Sequence, residues 1–235
     1  VWEVVNKPMG SRNLSQYDLQ EANLFEASLQ DASLVETNLR GAILETANLE
    51  GANLQGAYLE GANLQGANLW EASLENANLT QANFRDANLC GANFSNALLE
   101  KVNFKQSQIS VETQLNEKWK LVWQLVNKIV EDRDLSQFDL QQANLSEAHL
   151  QKANLSEANL QGAILKEANL QQANLWGAKL QGATFEKANL EEVNFQEAYF
   201  DKQADLQYSN LQKADLLEVT LEEANLQGAN LQEAH

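Results

Sequence analysis

Apolar residues recur along this chain with a period of five. Leu, Phe or Ile stands at every fifth position from Leu14 to Ile109, again from Leu135 to Phe200, and again from Leu206 to Leu231. Two residues before each of these the residue is nearly always Ala, as at Ala22, Ala27, Ala32, Ala42 and Ala47, and the position between is usually Asn. A helix cannot use this spacing, because five steps of about 100° carry Leu steadily round the cylinder and leave no fixed apolar face. Plain strand alternation fails too, since five is odd and the next Leu would point outward. The pattern closes if three residues are extended and two turn a corner. Ala and Leu then point inward, Asn points outward, and the corner resets the phase. Each pentapeptide becomes one side of a coil, and coils stack through backbone hydrogen bonds into a parallel solenoid.

The corner residues support this geometry. Gly41, Gly51, Gly56, Gly61, Gly66, Gly91, Gly162, Gly177, Gly182 and Gly228 all occupy the second corner position, where a type II turn requires positive φ. Glu21, Asp31, Glu71, Gln81 and Lys101 share that phase, so a mixture of turn types is expected. Pro8 is the only proline and lies outside both runs, as expected where a ladder needs its N–H groups. One coil could not stand alone. A pentapeptide loses roughly 5–10 kcal/mol of backbone entropy, and burying one Leu returns only about 1.5–3 kcal/mol. Stability is therefore collective. Outward Asn side chains stacked every ~4.8 Å can form amide ladders where Asp would repel Asp.

Tandem Ala-Asn/Asp-Leu-x-x units, of which Gly41 to Leu69 is the purest stretch, resemble the pentapeptide-repeat family. The resemblance implies an all-β solenoid, a right-handed quadrilateral parallel β-helix with four pentapeptides per coil. The period of five does not by itself exclude three sides.

A larger duplication encloses the small repeat. Val1-Trp-Glu-Val-Val-Asn-Lys7 matches Val122-Trp-Gln-Leu-Val-Asn-Lys128, and Arg12-Asn-Leu-Ser-Gln-Tyr-Asp-Leu19 matches Arg133-Asp-Leu-Ser-Gln-Phe-Asp-Leu140. The duplicated unit is thus a helix followed by a solenoid, and the chain is expected to be part of a longer one. Four segments follow: residues 1–11 as the remnant of a capping helix and linker, a first solenoid at 12–110, an amphipathic capping or linking helix at 111–132, and a second solenoid at 133–235. The architecture is two rods separated by one α-helix. Lys101 to Ile109 is expected to be a fraying final coil. Leu115, Trp119, Val122, Trp123, Val126, Ile129 and Val130 share one helical stripe, with Ser110 or Thr113 as the N-cap. Trp119, Trp123, Val126 and Ile129 are expected to seal the open end of the second solenoid. The five-fold phase slips by one residue at Asp201-Lys-Gln203, which reads as a bulge at a corner.

Composition narrows the function. The net charge of -17, from 16 Lys and Arg against 33 Asp and Glu, argues against direct binding of nucleic acid or an anionic membrane. No apolar run approaches the roughly 20 residues of a membrane span. One cysteine excludes an internal disulfide and a Cys-based metal site. Cys90 falls at an outward corner and His149 at an outward mid-side position, neither within a Ser/His/Asp or Cys/His constellation. No phosphate loop or calcium-repeat pattern is present. The expectation is accordingly no enzyme, no catalytic residue, no cofactor and no metal. Trp70 and Trp176 both sit at the first corner position, should project outward, and are the candidate interaction surface. The function expected is a non-catalytic structural or protein–protein interaction scaffold with an unidentified protein partner. End-to-end self-association is also expected, because Leu231 to His235 remain in repeat without a polar cap. The cytoplasm is the default compartment.

The alternative comes from the resemblance, since some pentapeptide-repeat proteins are acidic DNA mimics that bind a type II topoisomerase such as gyrase. Spread over roughly 50 Å of coils spaced ~4.8 Å apart, the net charge here is about one per 3 Å, around half the density of duplex DNA. An ice-binding face is disfavoured by the Glu, Gln and Asn on the outward positions, where ranks of Thr would be needed.

Overall fold

The computed structural model describes residues 12–128 and 132–235. It divides into two compact units, Val1–Lys120 and Leu121–His235. Within each unit the mid-side residues form isolated parallel bridges to the residue one coil on: Asn13 with Ser33, Asn48 with Asn68, Asn63 with Asn83, Asn154 with Asn174. The register is twenty residues, or four pentapeptides, so each pentapeptide contributes one rung rather than a long strand. Both units are parallel β-solenoids.

The core is the predicted one. Nearly every Ala and Leu of the repeat is fully buried, from Leu24 through Leu89 in the first unit and from Leu135 through Phe195 in the second. Where Thr37, Ser107 and Ser209 replace Ala, the hydroxyls are buried and donate to the carbonyls of Leu14, Phe104 and Leu206 at 2.7–2.8 Å. No buried hydroxyl is thereby left unsatisfied. The expected fraying near Lys101 does not occur. Val102 and Phe104 are buried, Asn103 and Gln108 keep their rungs, and the Phe104 ring stacks on Phe84 at 6.1 Å. Phenylalanine fills the width of a closed coil there.

The corners are uniform, and the expected mixture of turn types is overturned. Every glycine of the second corner position has φ between 61° and 71°, and Glu21, Asp31, Glu71, Gln81 and Lys101 adopt φ of 53–63° at the same place. The N–H three residues after each Leu returns to that Leu carbonyl, as Ala27 does to Leu24 at 3.0 Å. Meanwhile the second corner N–H donates to the next coil, as Gly51 does to Trp70 at 2.8 Å. Collective stacking thus holds L-residues in a left-handed conformation that costs each roughly 1–2 kcal/mol.

Two one-residue insertions punctuate the register. At the predicted slip, Thr184 pairs with Asp205, twenty-one residues on. There the Asp201 carboxylate accepts the Gly182 N–H at 2.8 Å, replacing the carbonyl that the bulge displaces. The second slip was not anticipated. Asn93 pairs with Gln114, and the Gly91 N–H lies 3.2 Å from the hydroxyls of Ser110 and Thr113. The first solenoid therefore runs beyond residue 110, and Leu115 is buried ahead of the helix instead of belonging to it.

The helix α1 spans Glu117–Asn127, shorter than expected. Its N-cap is Asn116, whose Oδ1 accepts the Trp119 N–H at 3.1 Å. Ser110 and Thr113 are occupied at the slip. Trp119, Val122 and Val126 are buried, Trp123 is half-buried, and Leu121 and Leu125 are buried although they lie off the predicted stripe. Ile129 and residues 1–11 fall outside the described residues.

Candidate interaction surface

Mid-side Asn residues such as Asn68 have two jobs, and both follow from the short amide. Its Oδ1 accepts the N–H two residues on, so Asn68 holds Trp70 at 3.3 Å and Asn174 holds Trp176 at 3.2 Å. This is an Asx turn that fixes the corner. Its Nδ2 donates to the Asn one coil back: Asn68 to Asn48 at 3.3 Å, Asn88 to Asn68 at 2.9 Å, Asn103 to Asn83 at 2.9 Å, Asn194 to Asn174 at 3.0 Å. The ladders anticipated from stacking are present, and the corner-fixing role is an addition that the sequence pattern did not disclose.

The two candidate tryptophans ride on these corners. Trp70 is 44% exposed. It shares a corner position, one coil apart each, with Gln30, Glu50 and Cys90. Glu50 is held by Gln30 at 3.2 Å and by Asn68 at 3.2 Å. The Trp70 carbonyl and N–H are both engaged in the scaffold, so the indole is presented from a fixed backbone. Trp176 occupies the equivalent position in the other unit but is only half-buried rather than exposed. They belong to different units and are described separately. Cys90, expected to be exposed, is half-buried, as is His149, which forms a mid-side rung with Asn169.

A second cluster escaped the sequence reading. The Arg40 guanidinium lies 4.5 Å from the ring centroid of Tyr58 and 3.1 Å from Glu60. Tyr58 is 41% exposed, and Glu60 also accepts from Asn78 at 2.7 Å. The signal was arithmetic: residues 40 and 60 are one coil apart and 58 flanks 60 across its own side. That sum requires the twenty-residue register, which the period of five leaves open.

Charge on these faces is solvated and paired where basic residues allow. Lys166 sits 3.1 Å from Glu186 and holds that carboxyl below its ordinary range. The Asp134 carboxyl is also lowered, first by the Ser136 hydroxyl and then by its N–H. Among the described residues no group of three or more His, Cys, Asp or Glu is placed to hold a metal ion. No described helix is long and apolar enough to cross a membrane.

The sequence profile described as pentapeptide repeats matches residues 13–45, 42–81, 71–106, 134–166, 168–202 and 202–235. Among solved structures, a pentapeptide repeat protein (Rfr23) of the cyanobacterium Cyanothece 51142 is 32% identical over 45% of this chain and 86% of its own, with a TM-score of 0.44. HetL, a pentapeptide repeat protein involved in heterocyst differentiation regulation in the cyanobacterium Nostoc sp. strain PCC 7120, is 27% identical over 96% of this chain and 90% of its own, with a TM-score of 0.26. QnrB1, a plasmid-mediated fluoroquinolone resistance protein, is 18% identical over 94% of this chain and 92% of its own, with a TM-score of 0.36. No curated protein matches the chain.

Proposed function

The chain belongs to the pentapeptide-repeat family, and from that premise we propose that it is a non-catalytic scaffold that presents side chains to a protein partner. The observation that carries this reading is Trp70: a large aromatic, 44% exposed, whose own N–H and carbonyl are both hydrogen-bonded within the solenoid. An apolar ring held in water with little freedom to lose is what a contact hot spot needs. Trp176 and the Arg40–Tyr58 pair extend the same surface chemistry to other corners and faces. The solenoid itself is proposed to be the right-handed quadrilateral form, with four sides supported by the twenty-residue register. The order of first solenoid, helix and second solenoid, with α1 (Glu117–Asn127) as the cap of the second solenoid, belongs to the same proposal. It is supported by the buried Leu121, Val122, Leu125 and Val126 and by the Arg133–Gln124 bond of 3.1 Å.

The test is quantitative interaction mapping with the intact chain and its W70A and W176A variants. Partners captured by the native chain and lost with W70A support the reading. Equal capture by all three overturns the role of the tryptophans. A second reading, the DNA mimic that binds a type II topoisomerase, is favoured by the net charge of -17. A supercoiling assay decides it: inhibition or protection of purified gyrase at micromolar protein would replace the general scaffold by this specific one.

A further inference from the structure

One side of the second solenoid is open. Regular rungs run Asp139–Asn159, Asn159–Lys179 and Lys179–Tyr199. The next rung would join Tyr199 to Thr220, and among the described residues it is not formed, although the sides on either hand pair Asn194 with Asp215 and Asp205 with Asn225. By the register of the preceding coils, the Phe200 N–H would bond the Thr220 carbonyl and the Thr220 N–H the Ala198 carbonyl. Neither bond is made, nor is the one from the Glu197 N–H to the Leu217 carbonyl. Beside the opening, at the insertion 201–203, the Asp201 carboxylate accepts the Gly182 N–H at 2.8 Å and the Gln203 N–H at 3.1 Å.

Two adjoining clefts of about 320 and 390 Å³ occupy the opening and share Phe200 and Thr220. Their rims carry Glu197, Asp201, Glu218, Glu222 and Glu223 against Lys202 alone. Unpaired strand edges are templates for an added strand, and side chains on an added strand would alternate between the coil interior and solvent. Inward positions would meet Phe200, which is half-buried. Outward positions would meet carboxylates.

We propose that this opening is a docking site for a short extended peptide with apolar and basic residues in alternation, bound by main-chain hydrogen bonds to Phe200 and Thr220. Charge complementarity selects the basic residues, and the open ladder selects the extended form. The site rests on the scaffold reading but is separate from the tryptophans.

The test uses the full chain and a fluorescein-labelled Lys-Val-Lys-Val-Lys peptide, with Lys-Gly-Lys-Gly-Lys as the control of equal charge. The expected result is saturable binding of the first, at least tenfold tighter than the control. T220P removes an N–H that has no internal partner, so the fold should persist while binding falls at least tenfold; E218Q with E222Q should weaken it at low salt. The Thr220 amide should exchange rapidly in the free protein and slow on binding. Equal binding of the two peptides, unchanged binding by T220P, or a Thr220 amide already protected without peptide each overturns the site. W70A should leave peptide binding intact, so loss of partner capture with W70A and loss of peptide binding with T220P report on different claims.

Discussion

Replacing Asn68 by Asp removes a single donor group and adds a charge at the centre of a ladder. Asn68 Nδ2 donates to Asn48 Oδ1 at 3.3 Å and to Glu50 Oε2 at 3.2 Å, while its Oδ1 accepts from Trp70 N–H at 3.3 Å and Asn88 Nδ2 at 2.9 Å. N68D keeps both accepted bonds and loses both donated ones, which costs roughly 1 kcal/mol for a half-exposed site. It also brings a second carboxylate against Glu50, which adds roughly 1 kcal/mol at a solvent-screened separation near 4 Å. The expected total is about 2 kcal/mol at pH 7 and low salt. The electrostatic half, repulsion from Glu50, disfavours the charged form of the introduced carboxyl and pushes its folded pKa above its unfolded value. The penalty is therefore full above the folded pKa and is relieved as pH falls through it. N88D is the control, because Asn88 donates only to Asn68 and faces no carboxylate there. Its cost should be about 1 kcal/mol or less, with little dependence on pH or salt. Urea unfolding followed by tryptophan fluorescence, at pH 7 and pH 4 and at 20 mM and 1 M salt, measures both. Equal costs for the two variants, or an N68D cost indifferent to salt and pH, would refute the ladder argument.

Other outcomes follow from the same stacking. Thr46 is β-branched at φ 54°, and a Cβ on Gly66 would lie 3.3 Å from its methyl; T46G should stabilise the first unit by about 0.5–1 kcal/mol, and G66A should cost about 1–2 kcal/mol and be partly rescued by T46G, as read from urea midpoints. Leu64 is fully buried, so L64A should cost about 3–4 kcal/mol; a loss below 1 kcal/mol would contradict a close-packed core. D201A leaves the Gly182 N–H without its acceptor and should cost roughly 1–2 kcal/mol, whereas D201N, which retains an acceptor oxygen, should cost less than half of that. The Asp134 carboxyl is held low chiefly by Ser136, so its contribution is present above the unfolded pKa and lost as pH falls through the lowered folded one. S136A should move its NMR titration midpoint upward, and an unmoved midpoint would assign the effect elsewhere.

Some features were legible because they repeat. The inward Ala and Leu and the outward Asn are restated at nearly every pentapeptide, so a single physical argument covers Leu24, Leu64 and Leu165 alike. The candidate site was legible only in part. Trp70 could be placed outside from its phase alone, but Trp176 at the same phase is half-buried, since burial at a corner depends on which residues the adjoining coils place beside it. The Arg40–Tyr58–Glu60 cluster needed the length of a coil, which five-residue periodicity cannot supply.

What the sequence by itself determined, then, is the local rule: three residues extended, two at a corner, with hydrophobic side chains inside. That rule follows from steric and hydrophobic terms acting within five residues. Tertiary structure decided everything that depends on which coil lies next. Stacking imposed one turn geometry on Glu21, Lys101 and Gly51 alike, because the second corner N–H must reach the next coil. It carried the first solenoid past residue 110 by giving the Gly91 N–H to the Ser110 and Thr113 hydroxyls. It also left the side at Phe200 and Thr220 without its rung, next to the one-residue insertion that shifts the register.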